Sequence, residues 1–376
     1  MVGLRSLERQ QALGILINNE DMMSYTKNVL TPLALGLALT LNAEGVSAAR
    51  DYIHIVGSST LAPLSKAVAE QLAKGSKKSP GLKSPWLEST GTKGGLQLFC
   101  EGEGADFADI ANAARRMTKK EWQQCQNNGV RDIIEVAVGR DALVLAQSKK
   151  SLPMKLTRRD IYLSLTRMVP DAFKKTTAPN ANKNWKQINA ALPDRQIAYV
   201  GPPANAGLRE IFRDLLLEPG CDGFPWLKAQ ANKNSNEYKR ACQDVRSDGT
   251  YLDVAVNDPT TVRELTTNEA AIGLMNFGFF NQQKDKLAAL EIDGVTPSES
   301  TVSSATYPLT GTLYFYVKKS HVGKIPGLAK FIEEFTSEKA FGDKGYLVAK
   351  GLIPLAKVDR KVSTDIAKLL APAFAP

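Results

Sequence analysis

Four segments of the chain share one pattern of hydrophobic and polar positions. Each begins with a short apolar run, continues through a loop rich in Gly, Ser, Thr, Asn or Pro, and ends in a stretch whose apolar residues recur at helical spacing. The runs begin at Tyr52, Trp86, Asp109 and Ile197. Strands that alternate with helices are typical of α/β domains, so this is the fold class that the pattern predicts.

The loops and helices of these units have sequence-defined ends. The first helix is predicted from about Pro63 until Gly75 stops it, and the loop of the second unit runs through Ser89–Gly95. In the third unit, Thr118 and Glu121 form a capping box at the start of a helix. The fourth helix is expected to end before the Pro-Gly pair at 219–220.

Later segments predict further elements around these units. A helix is expected over Asp160–Met168, followed by a polar excursion over Pro170–Asn184. Strands are predicted at Ala270–Met275 and Leu313–Val317, and a helix at Gly327–Thr336.

The first 48 residues follow a different order. Lys27 precedes a largely apolar run, Val29–Leu41, and small residues follow before the first charged pair. This is the order of a secretory signal peptide, residues 1–48, cleaved after Ala48 or the next residue. The run is short against the roughly 20 residues that a membrane-spanning helix needs. A signal of conventional length would begin near Met22, where we expect the true start.

The size and charge of the chain narrow its function. With 376 residues it is long enough for two domains of ordinary size. A net charge of +9 favours anionic partners. A nucleic-acid partner is disfavoured, because the basic residues are scattered and aromatic residues are not interleaved with them.

The four cysteines are Cys100, Cys125, Cys221 and Cys242. An exported chain meets an oxidising compartment in which thiols pair, and four cysteines allow three pairings. Sequence proximity favours Cys100 with Cys125 and Cys221 with Cys242. A structural metal site is not expected, because the chain has no Cys-x-x-Cys pair and contains two histidines.

The loops before the predicted helices suggest an anion site. A helix N-terminus exposes backbone N–H groups and a partial positive charge, so several such ends aimed at one point can hold an anion. Hydroxyl groups in the loops, together with Arg115, Arg116 and Arg209, could add donors and charge. Neither a Gly-x-Ser-x-Gly elbow nor a phosphate-binding loop of nucleotide hydrolases is present, so an enzyme is disfavoured.

The order and the sequences of these loops resemble those of the phosphate-binding protein family of ABC transporters, within the type II periplasmic solute-binding proteins. Gly57–Pro63 resembles the first ligand loop of that family, and Ser89–Gly95 resembles the second. Asp109–Arg116 is similar to its Ala-Ser-Arg segment, and Gly201–Arg209 is similar to its Ser-Gly-Thr-Arg segment. The resemblance covers nearly the whole chain after the signal peptide.

The resemblance implies two α/β lobes, each a mixed sheet flanked by helices, with the ligand cleft between them. Residues 49–138 and 309–376 would form the first lobe, and residues 139–308 the second. The chain would cross between lobes near Val138-Gly139 and Leu309-Thr310.

The resemblance also implies a function. A protein of this family binds inorganic phosphate in the periplasm, without a cofactor and without catalysis, and delivers it to an inner-membrane ABC permease. We expect a monomer without a lipid anchor, since the first cysteine is Cys100. The positions that match ligand contacts of the family are Ser59, Thr60, Leu61 through its backbone N–H, Thr92, Arg115, Gly207 and Arg209.

The chain departs from the family pattern at three positions. Ala114 replaces a serine, and Ala206 and Leu208 stand where the family has Ser and Thr. Each missing hydrogen bond to a charged ligand is worth about 1.5–3 kcal/mol. Alternative ligands are therefore another oxyanion, an organophosphate or a phosphonate, and alternative functions are an exported phosphatase or a sensory protein.

Overall fold

The computed structural model describes residues 50–75, 83–171, 175–204, 206–231 and 236–376, which belong to one compact unit. The predicted signal peptide, residues 1–48, and its cleavage site lie outside the described residues. Within the described ranges, no helix is long and apolar enough to cross a membrane.

The strands of the main sheet are mostly short, and several are fully buried, as expected for apolar runs between loops. In chain order the strands are β1 His54–Gly57, β2 Trp86–Ser89, β3 Ile110–Ala113, β4 Ile133–Ser148, β5 Lys155–Leu156, β6 Met168–Asp171, β7 Thr176–Pro179, β8 Ala198–Gly201, β9 Tyr251–Asp253, β10 Ala271–Asn276, β11 Leu287–Ala289, β12 Glu291–Ile292 and β13 Thr310–Lys318.

Several helices begin with a side-chain cap, and Thr118 forms the predicted capping box with Glu121. A π-helical segment, Arg213–Leu217, joins α6 to α7 without a break. The helices are α1 Ala62–Gly75, α2 Gly91–Phe99, α3 Lys119–Asn127, α4 Arg158–Leu165, α5 Trp185–Ile188, α6 Gly207–Phe212, α7 Glu218–Asp222, α8 Pro225–Ala231, α9 Asn236–Cys242, α10 Pro259–Thr267, α11 Phe277–Gln282, α12 Glu299–Ser303, α13 Leu328–Phe335, α14 Glu338–Phe341 and α15 Lys357–Leu369.

One mixed sheet has the strand order β2-β1-β3-β13-β4-β10-β8-β9, with β11 paired to the end of β4. At one end, β1 is parallel to β2 and β3, and at the other, β8 is parallel to β10 and β9. The loops that follow parallel neighbours leave the same edge of a sheet, which is where ligands bind in α/β folds. The predicted ligand loops after β1, β2 and β3 therefore emerge together.

Strand β4 joins the two halves of this sheet because it changes partner along its length. Ile133–Ala142 pairs with β13, whereas Leu143–Ser148 pairs with β10 and β11. The register between β4 and β13 shifts once, so that Val138 bulges out beside Gly139. A bulge increases the local twist of a strand and can redirect it. The bulge lies at Val138-Gly139, where the sequence predicts a crossing between lobes, and that crossing stays a prediction.

Both predicted disulfides are present, and each lies in its own hydrophobic cluster. Cys100 is bonded to Cys125 beside the half of the sheet that contains β1. Cys221 is bonded to Cys242 in a second cluster that includes Tyr162. The predicted pairing is therefore confirmed, and each half of the molecule has a local covalent crosslink.

Some predicted boundaries were wrong, and packing explains the largest error. Residues Gly91–Gly95, expected as loop, form the first turn of α2, because Gly95 lets the helix approach β1 closely despite its low helix propensity. Helical structure continues past Pro219, which lies in α7 directly after the π-helical segment. The polar excursion contains the hairpin of β6 and β7.

Candidate functional site

Glycines bring the loops after β1 and β2 together. Gly57 has a φ of +116°, and a Cβ on it would lie 2.2 Å from the carbonyl oxygen of Asn112 on β3. A Cβ on Gly95 of α2 would lie 2.2 Å from the Cα of Gly57. Only a residue without a side chain allows this approach. The first turn of α2 therefore lies directly against the end of β1.

The start of α6 meets these loops from the other half of the sheet. A Cβ on Gly207 would lie 3.2 Å from Ser59 Oγ, and a Cβ on Gly91 would lie 3.9 Å from Glu210 Oε2. The N-terminal ends of α1, α2 and α6 thus converge around one contact between the two halves. Because each end carries N–H groups without helical partners and a partial positive charge, this place favours an anion.

The first predicted ligand loop lies at this contact. Ser59 is exposed, Thr60 is partly exposed, and both line a cavity. The N–H of Leu61, a predicted ligand contact, donates to the carbonyl oxygen of Ser58 at 3.2 Å, and the Leu61 side chain is buried in the main core. The structure therefore places the hydroxyls of this loop toward the cleft and the leucine inside.

Thr92 is buried and ties α2 to the loop that follows β3. Its Oγ1 accepts a hydrogen bond from the backbone N–H of Ala114 at 3.0 Å. This bond holds the Ala114 position, where the family has a serine, next to the start of α2. Thr92 also borders the same cavity as Arg115.

Arg115 is surrounded by carboxylates. Its guanidinium makes a bidentate pair with Glu121, at 2.8 and 2.9 Å, and lies 3.5 Å from Glu210 Oε1 and 3.5 Å from Asp214 Oδ2. Burial alone would lower the pKa of Arg115, but the hydrogen bonds and charges of these carboxylates outweigh burial and raise the pKa above its ordinary value. Arg115 is therefore a fixed positive charge in contact with both halves.

The other two arginines have different partners from Arg115. The Arg116 guanidinium, next in sequence, pairs with Glu135 on β4 at 2.9 Å and is half exposed. Arg209 Nη1 donates to the carbonyl oxygen of Pro202 at 3.2 Å, and its guanidinium lies 4.4 Å from the ring centroid of Tyr251. Arg115 and Arg116 thus have different carboxylate partners, although both line one cavity, and Arg209 lies along the wall of the cleft.

Three cavities surround the contact between the halves and divide the predicted ligand residues among them. Ser59 and Thr60 line a cavity of about 860 Å³. Thr92 and Arg115 line one of about 220 Å³. A third, of about 540 Å³, contains Gly207, Arg209, Ala206 and the exposed Lys93. The predicted residues are therefore neighbours around one point but do not share one enclosed pocket.

Asp141 is a cleft residue that the sequence reasoning missed. It follows the bulge on β4 and is 7% exposed, at the wall of the cavity that Ser59 and Thr60 line. Its carboxylate accepts hydrogen bonds from the N–H of Ala142 at 2.8 Å and from Asn276 Nδ2. Burial raises the pKa of Asp141 to about 6. An aspartate just before the apolar run 142–146 was the available signal, since a charged residue in a buried strand is rare.

Comparison with known proteins identifies the family of this fold. A family model described as a PBP superfamily domain matches residues 42–339, most of the chain. The chain belongs to the PBP superfamily.

Two relatives of this PBP superfamily protein match most of its length. Protein SphX of Synechococcus elongatus is 29% identical over 302 residues, which cover 79% of this chain and 77% of SphX. The phosphate-binding protein PstS of Staphylococcus aureus strain USA300 is 25% identical over 333 residues, covering 84% of this chain and 86% of PstS. The predicted resemblance to phosphate-binding proteins is confirmed by these relatives.

Solved structures show the same fold. A crystal structure of an ABC-type phosphate transport receptor from Vibrio cholerae superposes with a TM-score of 0.57 at 21% identity, covering 80% of this chain and 99% of the receptor. The structure of PstS from Borrelia burgdorferi gives 0.55 at 19% identity, with coverages of 82% and 100%. The predicted fold class, a two-lobed α/β solute-binding protein, is confirmed.

Proposed function

We propose that this PBP superfamily protein captures inorganic phosphate in the cleft between its lobes, as the solute-binding component of an ABC transporter. The observation that carries the proposal is the convergence of the N-terminal ends of α1, α2 and α6 on the contact of Ser59 with Gly207. Such ends bind oxyanions through backbone N–H groups and their partial charge. The names of the relatives support the same ligand. The protein binds its ligand and does not transform it.

The three positions without hydroxyls make backbone donors more important in this chain. Leu208 is buried in the main core, and Ala206 precedes α6 without a side-chain cap. Ala114 is buried with its N–H bound to Thr92. The proposed donors are therefore the N–H groups at the starts of α2 and α6, with the hydroxyls of Ser59 and Thr60 and the charges of Arg115 and Arg209.

Asp141 supplies a basis for selectivity in this proposal. A carboxylate accepts hydrogen bonds and donates none when ionised, so an oxyanion that contacts it must carry a proton. Hydrogen phosphate carries one at neutral pH, whereas sulfate carries none. Asp141 therefore favours phosphate over sulfate.

We further propose the lobes and the location. Residues 49–138 with 309–376 form one lobe and residues 139–308 the other, in keeping with the change of partner along β4. The protein is exported through its cleaved signal peptide, acts as a monomer in the periplasm and delivers its ligand to an inner-membrane permease. Mass spectrometry of the secreted protein tests cleavage after Ala48 or the next residue. A chain that retains residues 29–41 in a membrane fraction would contradict it.

Calorimetric titration of the purified protein tests the ligand. We expect tight binding of phosphate and weak or absent binding of sulfate. Asp141→Asn should lower phosphate affinity by about tenfold, because a hydrogen bond to a charged carboxylate is replaced by a weaker one to a neutral amide. Glu135→Gln, which alters a carboxylate paired with Arg116 outside the cleft, is the matched control. Equal affinity for sulfate and phosphate in the parent would refute the role of Asp141.

A phosphate ester or phosphonate is a second candidate ligand. It is favoured by the size of the cavity that Ser59 and Thr60 line. At about 860 Å³ it falls in the range of pockets for small organic molecules, about 300–1,000 Å³, and it is lined by amide side chains that include Asn257 and Gln282. Titration with glycerol phosphate and a phosphonate decides between the candidates. Tighter binding of either than of inorganic phosphate would favour the larger ligand.

A further inference from the structure

Acceptors surround all three nitrogens of the Arg115 guanidinium. An arginine has five N–H groups. Nη1 donates to Glu121 Oε2 and to the carbonyl oxygen of Arg116, at 2.9 and 3.1 Å. Nη2 faces Glu121 Oε1 at 2.8 Å and Glu210 Oε1 at 3.5 Å, and Nε faces Asp214 Oδ2 at 3.5 Å. An anion that binds to Arg115 therefore competes with these acceptors.

The acceptors fall into two groups by their position in the fold. Glu121 belongs to α3, close in sequence to Arg115, and its carboxylate also accepts the backbone N–H of Thr118. Its short bidentate bond fixes the arginine. Glu210 and Asp214 instead follow β8, at the other end of the sheet, and their contacts with Arg115 are longer. These two are the weaker acceptors, and they bridge the two halves.

A second arginine, Arg213, also contacts Glu210 and Asp214 and can remain their partner when Arg115 binds an anion. Arg213 donates to Asp214 Oδ1 through Nε at 2.8 Å and through Nη2 at 2.7 Å, and lies 3.9 Å from Glu210 Oε1. When Arg115 turns to an anion, both carboxylates therefore keep a positive partner on their own helical segment. A buried charge left without a partner is costly, and Arg213 avoids that cost.

We propose that Glu210 and Asp214 act as an internal substitute for the anion: they occupy Arg115 and hold the halves together until a ligand displaces them. The proposal rests on the proposed function for the identity of that ligand. It assigns to these two residues control of affinity, since interactions present only in the ligand-free state oppose binding.

The test uses Glu210→Gln, Asp214→Asn and the double variant of the whole protein. In the absence of ligand, small-angle X-ray scattering should show a larger radius of gyration for the double variant than for the parent. In calorimetry with inorganic phosphate, the double variant should bind about three- to tenfold more tightly, the scale of two partly exposed ion pairs. Thermal unfolding monitors the fold of each variant.

Glu218→Gln is the matched control. Glu218 lies in the same helical stretch and contacts Arg213 Nε at 3.7 Å, but its Oε1 accepts from Gln243 Nε2 at 2.6 Å. It should change neither the scattering nor the affinity.

The outcomes separate the two proposals. Unchanged or weaker phosphate binding by the double variant overturns the proposal that Glu210 and Asp214 compete with the anion for Arg115. The ion pairs would then persist in the bound state. If parent and variants all fail to bind phosphate, the proposed function fails. In that case the scattering still tests whether the two carboxylates hold the halves together. A double variant as compact as the parent overturns that role, and a double variant with a larger radius of gyration supports it.

Discussion

Two clusters of charged side chains in this protein differ in their burial, and each has one central charge surrounded by partners of opposite sign. In the Asp109 cluster, the fully buried carboxylate of Asp109 binds Arg50 Nη2 at 2.6 Å, His321 Nδ1 at 2.6 Å and the backbone N–H of His54 at 2.7 Å. In the Arg115 cluster, the side chains of the arginine and its carboxylate partners are between 12% and 25% exposed.

The difference shows how the same chemistry can serve stability or binding. The Asp109 cluster joins elements of one half of the sheet and has short bonds, so its partners cannot exchange without exposing a buried charge. The Arg115 cluster bridges both halves with longer contacts and contains a second arginine, Arg213. Glu210 and Asp214 can therefore leave Arg115 and remain paired. Changes in the first should affect unfolding, and changes in the second should affect ligand affinity.

The largest effect is expected for Asp109→Ala. Removing one member of a buried ion pair commonly costs about 3–5 kcal/mol, because the remaining charges lose their partner. Urea denaturation at neutral pH should show this loss in the free energy of unfolding. Asp365→Ala, which breaks an exposed pair with Lys361, is the control and should cost less than about 1 kcal/mol. Equal losses in the two variants would erase the distinction between buried and exposed pairs.

The next effect concerns Lys318, which lies close to the Asp109 cluster. Burial against Phe99 and Phe107 lowers the pKa of Lys318 to about 8, from its ordinary 10.5. Between these values the unfolded chain binds a proton that the folded protein has lost, so the folded state gains stability as the pH rises. The free energy of unfolding of the parent, relative to Lys318→Met, should increase by about 3 kcal/mol from pH 8 to 10.5. Parallel pH profiles for the two proteins would contradict a buried, shifted lysine.

A smaller effect, on binding, is expected for Arg115→Ala. It should weaken phosphate binding by about tenfold, or about 1.4 kcal/mol, because a charge at the cleft is lost. The free energy of unfolding should also fall, by about 1 kcal/mol, because Glu121 loses its bidentate partner whereas Arg213 still neutralises Glu210 and Asp214. Arg116→Ala is the control, since this neighbouring side chain is half exposed and pairs with Glu135 rather than with Glu210 or Asp214. Unchanged affinity in Arg115→Ala would remove this arginine from the proposed site.

The smallest effect is expected for Arg209→Ala. At rest, this guanidinium lies over Tyr251, a contact worth about 0.5–1 kcal/mol at exposed sites. Part of any attraction to the ligand must offset the loss of this contact, so phosphate affinity should fall by about two- to fivefold in calorimetry. A loss larger than that of Arg115→Ala would reverse the ranking of the two arginines.

Much of the fold could be predicted because its signals are local. The alternation of apolar runs, glycine-rich loops and helical spacing located β1, β3, β8 and β10 within a few residues. The pairing of the cysteines followed from proximity in sequence and is confirmed. The capping box of Thr118 and Glu121 is likewise a contact between residues three apart.

The candidate site was only partly predictable, because its decisive contacts join distant segments. The sequence placed Ser59 and Arg115 on loops before helices and Gly207 in the first turn of a helix, and this required only the local pattern. Which carboxylates surround Arg115 depended on how the segment after β8 packs against the loop after β3, and no local pattern records that approach.

Asp141 illustrates the same limit. The sequence shows an aspartate at the start of an apolar run, but its burial beside Asn276 arises from the pairing of β4 with β10. The raised pKa of Asp141 is a consequence of that burial. By itself, the sequence determined the elements, the disulfides and the loops that carry the site, since these depend on neighbours along the chain. Only the tertiary structure decided the partners of each charge, because burial and distance arise when separate elements pack together.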